Sequence, residues 1–282
     1  MLTWAGLSVT RRRLLYNAVA SLALIAGLVL VFLPFVWLLS TAIKNQVDAF
    51  ALPPKLVFEP TLSNFGRLLD GQFAQYALNS VIVTSLATSL ALILGVPAGY
   101  GLAIGRFRGR QWLAGWLLVT YMAPAVVYIV PMFVIFVRLG LINTYLGLVL
   151  GYQTGLLPFT VWLMRAYFAD LPTELEEAAR IDGCTRARAF LEVVLPVSLP
   201  GVTTVALLVA IAAWSEFFGA FILGGSDTFT APIGVYGFLS DYSSDYGALA
   251  ASTLFVVVPV LLATIVAQRG LLKGLTAAAV KG

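Results

Sequence analysis

Residues 170–198 read DLPTELEEAARIDGCTRARAFLEVVLPVS, between an apolar run ending near Phe168 and another resuming near Leu199. A charged segment this short between two apolar runs is a connector on one membrane face. Thr173 followed by Glu176 has the spacing of a capping box, and Pro172 just before it sharpens the start. Glu174, Glu176 and Glu177 fill the first turn, where negative charge complements the helix dipole. The helix is expected to run to Asp182 and stop at Gly183, because glycine adopts the left-handed C-terminal conformation at least cost. Three-and-four spacing groups Leu175, Ala178, Ala179 and Asp182 on one face, where small residues let another backbone approach closely. A second helix, about Thr185 to Val194, leads through Leu195-Pro196 back into the apolar run. Helix pattern alone leaves a second reading open, an amphipathic connector resting on the membrane surface.

The surrounding chain decides that a membrane is involved. Its 282 residues are 60% hydrophobic and 11% charged, with a mean hydropathy of +0.95. Soluble domains are about 25% charged. A spanning helix needs roughly 20 apolar residues, and the charges leave six such runs. They are Leu14 to Ile43, Gly71 to Gly105 with the span starting near Asn79, Gln111 to Val137, Leu139 to Met164, about Leu199 to Leu223, and about Gly247 to Gln268. The expected fold class is therefore an all-α integral membrane protein with six transmembrane helices over residues 14–268. Residues 1–13 form an N-terminal segment, 170–198 the loop between spans four and five, and 269–282 a C-terminal tail.

Six spans place both termini on one side, and positive charge says which. Arg11 to Arg13, Arg106, Arg108, Arg110, Arg165, Arg180, Arg186, Arg188, Arg269, Lys273 and Lys281 share one face, 13 of the 17 Lys and Arg. The other face has Lys44, Lys55, Arg67 and Arg138, and its loop from Gly224 to Tyr246 carries Asp227, Asp241 and Asp245 without a cation. Both termini are thus expected in the cytosol. A cleaved signal peptide would have an apolar region of about 7 to 15 residues. The run here is twice that and continues through Pro34, Phe35 and Trp37, so an uncleaved helix is expected. The outer loop from about Lys44 to Tyr76 reads as a short surface segment.

Several chemistries are excluded. The chain has no His, which removes imidazole acid–base work and His-ligated metal. Cys184 is the one cysteine and cannot form an internal disulfide. No G-x-x-x-x-G-K-[ST], G-x-S-x-G or H-E-x-x-H occurs, so no phosphate-cradling loop or hydrolase motif is present. Basic residues beside spans need no nucleic acid to explain them.

Within the membrane, Glu216 in Trp214-Ser215-Glu216-Phe217-Phe218 lies about two-thirds along span five. An acid at mid-bilayer costs about 2.5–3.5 kcal/mol, so it must face the bundle interior, water or the outer interface. Trp214, Glu216 and Asn79 are the candidates for pathway or subunit interface. Asn79 and Ser80 either cap span two or bond a neighbouring helix. Gly95, Gly99, Gly101 and Gly105 have the spacing of close helix packing. Pro97, Pro124 and Pro131 are kink positions. Tyr121, Tyr128, Trp162 and Phe218 could stack on sugar rings or belong to interfacial belts.

The spacing Glu177-Ala178-Ala179, three residues, Gly183, nine residues, Val193, one residue, Leu195-Pro196 resembles the signature of binding-protein-dependent ABC importer permeases. Leu141 to Gly147, Glu174 to Gly183, and Gly274-Leu275-Thr276 through Val280-Lys281-Gly282 look like the MalG-type carbohydrate permeases. Val193 stands where that family more often has Ile, Ser215 where it often has Asn, and Ala277 to Ala279 where it is often glycine-rich. The resemblance implies a type I ABC importer permease fold with a cytosolic coupling helix that docks on an ATPase. ATPase coupling would fall to Glu174, Leu175, Glu177, Ala178, Ala179, Asp182 and Gly183. Implied partners are a second homologous permease, two copies of a cytosolic ATPase, an extracytoplasmic solute-binding protein and membrane lipid. ATP and Mg would be held by the ATPase and no cofactor by this chain, which is then no enzyme. The solute implied is a sugar, oligosaccharide or glycerophosphate-like compound. The rival is an ion-coupled secondary transporter using Glu216 as carrier, for which neither a basic partner nor an internal repeat is visible.

Overall fold

The structure, a computed structural model, describes residues 9–239 and 245–279. Asp241, Val280, Lys281, Gly282 and residues 1–8 lie outside the described residues. Among those described there is no strand. The chain order is α1 (Val9–Ala42), α2 (Gln46–Ala49), α3 (Ser63–Asp70), α4 (Gln72–Ile104), α5 (Arg110–Met122), α6 (Ala125–Arg138), α7 (Tyr145–Ala169) and α8 (Glu174–Ile181). There follow α9 (Arg186–Ala189), a π turn (Phe190–Val194), α10 (Leu195–Val197), α11 (Leu199–Trp214), α12 (Phe218–Leu223), α13 (Ala231–Tyr236) and α14 (Tyr246–Ala279).

Four helices, α1, α4, α7 and α14, are long and apolar enough to cross a membrane alone. Two bent pairs raise the number to six if each is one span: α5 with α6 turns by 93°, and the helix from Arg186 to Val197 turns by 77° into α11. Proline explains the first corner. Pro124 has no N–H to give, and Ala123 before it is forced into an extended conformation, which closes α5. Pro97, by contrast, sits inside an unbroken α4.

The centre is the α4–α7 pair. A Cβ on Gly95 would meet Thr160 Cγ2 at 2.6 Å, and one on Gly99 would meet Met164 Cβ at 2.7 Å. Two glycines four apart therefore let the backbones close, as their spacing implies. Gly101 has open space beside it, and Gly105 lies just beyond the helix end against the Gly101 carbonyl and Phe107, so the second expected pair brings no other helix close. Around this pair Val83, Ala87, Leu148, Met164, Phe168, Val209 and Leu223 form one buried core. A smaller cluster of Ala42, Leu68, Phe73, Ala248 and Ala251 ties α1 and α3 to α14.

Span limits shift in three places. Span two starts at Gln72 rather than near Asn79, so Asn79 caps nothing. Span four starts at Tyr145 rather than Leu139, because Asn143 takes a positive φ of 57° and Thr144 caps the helix by accepting from Gly147 N–H. Span five is interrupted after Trp214. Span six keeps its expected limits, at Tyr246–Ala267, while its helix continues to Ala279. The outer loop folds into α2 and α3, pinned by buried Asn64 donating to the carbonyls of Ala42 at 2.7 Å and Lys44 at 2.8 Å.

Candidate functional site

The connector folds into a short helix with a strongly defined end. Gly183 has φ +90°; its N–H donates to Arg180 O at 3.1 Å, and Cys184 N–H donates to Ala179 O at 3.0 Å. These two bonds are the Schellman arrangement, which satisfies the last carbonyls of α8. The expected capping box does not form. Thr173 is already in helical conformation and makes no side-chain cap bond, and Glu176 is engaged elsewhere. Its Oε1 accepts from Arg186 Nε at 3.0 Å, with the Glu176 side chain 6% exposed. That ion pair fastens α8 to α9.

The pair also sets which side of α8 faces in. Glu176 and Ala179 are buried and Leu175 is half-buried, while Glu174, Glu177, Ala178, Asp182 and Gly183 are exposed. The stripe expected from Leu175, Ala178, Ala179 and Asp182 is therefore split between two faces. On eight residues the three-and-four pattern fits more than one stripe, and the buried carboxylate chooses among them. The outward face is Glu174, Glu177, Ala178 and Ile181, and Ile181 is 86% exposed. The sequence reading gave Glu176 only a capping role and passed over Ile181, although an apolar residue one turn beyond Ala178 was a visible signal.

Behind α8 stands an aromatic cluster. Tyr100 of α4 lies 4.5 Å from Phe190 of the π turn and 5.6 Å from Phe168 at the end of α7, between ring centroids. Through it α8 and α9 rest on the C-terminal ends of the central helix pair, α4 and α7.

Deeper in the bundle, α6, α7, α11 and α12 enclose a cavity of about 330 Å³ beneath the α5–α6 corner. Tyr121, Tyr128, Tyr152, Thr154, Phe159 and Glu216 are its aromatic and polar lining, with aliphatic residues such as Met132 and Ile211 between them. Glu216 is in the break between α11 and α12 rather than within a continuous span, and its Oε1 accepts from Gly219 N–H at 2.6 Å. The carboxylate thereby caps a backbone donor that the break exposes. Tyr152 is 5% exposed, and its hydroxyl is buried beside the Thr230 hydroxyl rather than open to the cavity. Of the aromatics singled out from the sequence, Tyr121, Tyr128 and Phe218 reach this cavity. Trp162 instead lies under the Arg165 guanidinium at 5.1 Å.

Trp214 and Asn79 are elsewhere. Trp214 Nε1 donates to Val256 O at 3.0 Å and so fastens α11 to α14. Asn79 is fully buried and donates to the carbonyls of Asp227 and Phe229, each at 2.9 Å, while Tyr145 Oη donates to Asn79 Oδ1 at 2.7 Å. Ser80 Oγ accepts from Ala231 N–H at 2.7 Å. The loop after α12 is thus anchored to α4 and α7 by an Asn-Ser pair.

Residues 91–270 match the family described as binding-protein-dependent transport system inner membrane component, and that stretch includes α8, the π turn and the cavity. The chain belongs to this family. It is a multi-pass membrane permease of the ABC importer class and not an enzyme. It is similar to the trehalose transport system permease protein SugB of Mycobacterium tuberculosis, 34% identical over 96% of this chain and 99% of the relative. It is also similar to the diacetylchitobiose uptake system permease protein DasC of Streptomyces coelicolor, 34% identical over 94% of this chain and 96% of the relative. The sulfoquinovosyl glycerol transport system permease protein SmoH of Agrobacterium fabrum is 31% identical over 93% of this chain and 92% of its own length. Among solved structures, a bacterial ABC transporter involved in alginate import contains a chain of the same fold. It has a TM-score of 0.77 at 23% identity, covering 93% of this chain and 98% of that one. The chain thus has the type I permease fold, and α8 lies within the stretch matched by the family.

Proposed function

We propose that this chain is one of two permease subunits of an ATP-driven importer for a sugar, oligosaccharide or glycerophosphate-like solute, with both termini in the cytosol. α8 is the coupling helix and docks into a groove on a cytosolic ATPase. Two copies of that ATPase hold ATP and Mg and perform the hydrolysis. A homologous permease supplies the other half of the pathway, and an extracytoplasmic binding protein delivers the solute. When the ATPase pair closes, it moves α8, and the Glu176–Arg186 pair and the Tyr100–Phe190 contact carry that motion to α4 and α7.

The observation that carries this reading is the outward face of α8. Ala178 is exposed and Ile181 is 86% exposed, on a helix whose inner face is fixed by a buried ion pair and whose end is fixed by Gly183. With Ala178 beside it, Ile181 gives this face a small apolar contact that a partner groove would cover. The solute class rests on relatives whose names give trehalose, diacetylchitobiose and sulfoquinovosyl glycerol. The test is co-purification of the chain with its ATPase and second permease in mild detergent. Wild type is expected to retain the ATPase, and Ala178→Arg or Gly183→Asp to lose it or its coupled activity. Equal retention with unchanged coupled transport in all three would remove α8 from the mechanism.

A further inference from the structure

A second cavity, apart from the one beside Glu216, opens between the end of α1 and the start of α14. Its volume is about 330 Å³, and Trp37, Lys44, Asp48, Phe50, Leu52 and Tyr246 are among its walls. The spans of α1 and α14 run Tyr16–Ala42 and Tyr246–Ala267, and Ala42 packs with Ala248 in one buried cluster. The cavity therefore sits where two spans leave the apolar layer together, at the depth of lipid head groups. Trp37 and Tyr246 are residue types that membrane interfaces favour. In the adjoining segment Val47 and Leu56 are exposed, Leu52 is 91% exposed and Val57 93%. Aliphatic side chains bared together beside a span end mark a membrane contact.

Lys44 sets the chemistry of this cavity. The residue is only 3% exposed, yet among the described residues its ammonium forms no ion pair and no hydrogen bond. It lies 5.2 Å from the centroid of the Trp37 ring and 4.8 Å from that of Phe58. Ring faces offset part of the lost hydration, but an ammonium has three donors that seek acceptors. The carboxylate nearby is already engaged. Asp48 Oδ1 accepts from Lys55 Nζ at 2.6 Å, and Asp48 Oδ2 accepts from Asn45 Nδ2 at 3.0 Å. Two lysines against one aspartate leave one net positive charge here. A buried charge left uncompensated is costly, so an anion from outside the chain completes the site. The backbone carrying Lys44 is held in place, its carbonyl accepting from Asn64 Nδ2 and the Ile43 carbonyl from Thr61 N–H, each at 2.8 Å.

We propose that this cavity binds the phosphodiester head group of an anionic glycerophospholipid, with Lys44 as its counter-charge and the exposed aliphatics of residues 47–57 against its acyl chains. Basic pockets between transmembrane helices hold phospholipid head groups by the same attraction. A soluble phosphate would meet Lys44 but leave the aliphatic side chains in water. A phospholipid answers both features and is the neighbour that span ends meet throughout the bilayer. The proposal goes beyond the importer reading and does not rest on it, since it concerns how this chain meets the membrane.

The test uses the full chain, purified in mild detergent with the subunits that accompany it and then delipidated. It is offered phosphatidylglycerol, phosphatidylcholine or glycerol 3-phosphate, and bound lipid is counted by native mass spectrometry. Phosphatidylglycerol is expected to bind about five-fold more tightly than phosphatidylcholine, the effect of one lysine on an anionic lipid. Lys44→Gln is expected to weaken the tightest phosphatidylglycerol site by about the same factor. Lys44→Arg should keep that site, and so should Arg138→Gln, an exposed cation at the end of α6. Equal binding of the two lipids, or an unchanged site in Lys44→Gln, would overturn the proposal. Displacement of the lipid by an equal concentration of glycerol 3-phosphate would assign the cavity to a soluble phosphate and overturn the lipid. Should Lys44→Gln not assemble, Ala51→Cys in a Cys184→Ser background puts a thiol in the cavity wall for maleimide labelling. Phosphatidylglycerol is expected to slow that labelling and phosphatidylcholine to leave it unchanged. Equal rates with both lipids, or protection by a partner protein and none by phosphatidylglycerol, would overturn the proposal.

Discussion

Arg186 Nε donates to Glu176 Oε1 at 3.0 Å, joining the short helix α8 to the helix that leads back into the membrane. The glutamate is 6% exposed and the arginine 50%, so the pair is buried at one end and open at the other. Removing the open end leaves a buried carboxylate without its donor, a loss of about 1–3 kcal/mol. Arg186→Ala is therefore expected to lower the thermal midpoint and to reduce coupled transport more than it reduces ATPase binding. Arg186→Lys should recover part of both. Transport unchanged in Arg186→Ala would show that the pair does not transmit movement.

Gly183 is the second constraint on α8. At φ +90° a side chain is strained whatever the surrounding space. The cost for an ordinary L-residue is about 1–2 kcal/mol. Gly183→Ala is expected to destabilise by that amount and Gly183→Asn by less, as read by thermal unfolding in detergent. Equal midpoints for wild type and Gly183→Ala would contradict the Schellman ending.

The central helix pair offers an internal control. Gly99 faces Met164 at a distance that admits no Cβ, while Gly101 has open space beside it. Gly99→Leu is expected to abolish a stable complex, through overpacking of at least about 1–3 kcal/mol, and Gly101→Leu to leave it intact. Size-exclusion profiles in detergent distinguish the two. Similar behaviour would mean that α4 and α7 do not close through Gly99.

Asn79 serves the loop after α12. Its amide supplies both donors to the carbonyls of Asp227 and Phe229. Asn79→Ala leaves those carbonyls unpaired and is expected to cost about 1–3 kcal/mol, with proteolysis within 224–230 as the local readout. Unchanged protection of that loop would remove the anchoring role.

In the loop between α1 and α3, Lys55 Nζ donates to Asp48 Oδ1 at 2.6 Å, and that hydrogen bond holds the Asp48 carboxyl below its ordinary range. A depressed folded-state value means the contribution is present above the unfolded pKa of about 3.9 and fades as pH falls through the lower folded one. Stability from this pair is expected to be flat from pH 5 to 8 and to decline toward pH 3. Asp48→Asn should flatten that acid limb, which thermal midpoints against pH would show.

Much of this was legible in the sequence. Charge-free runs located the six spans because burying a charge in lipid is costly whatever the fold. Gly183 marked the end of α8 because only backbone geometry is at stake there. The inward face of α8 was not legible, since it depends on Arg186, ten residues away, capturing Glu176. The roles of Trp214 and Asn79 were hidden for the same reason, their partners Val256 and the 227–229 loop lying far along the chain. The break at Glu216 carries no proline or glycine signal of its own, so the apolar run around it read as one helix.

The central claim is that ATP hydrolysis on a partner drives this permease through α8. Solute uptake by proteoliposomes of the assembled complex, loaded with ATP and treated with a protonophore and a sodium ionophore, tests it most directly. The account predicts uptake that requires ATP, survives both ionophores, and disappears in Ala178→Arg. Uptake that collapses with the ionophores while ATP is held constant, or that persists in Ala178→Arg, would contradict it.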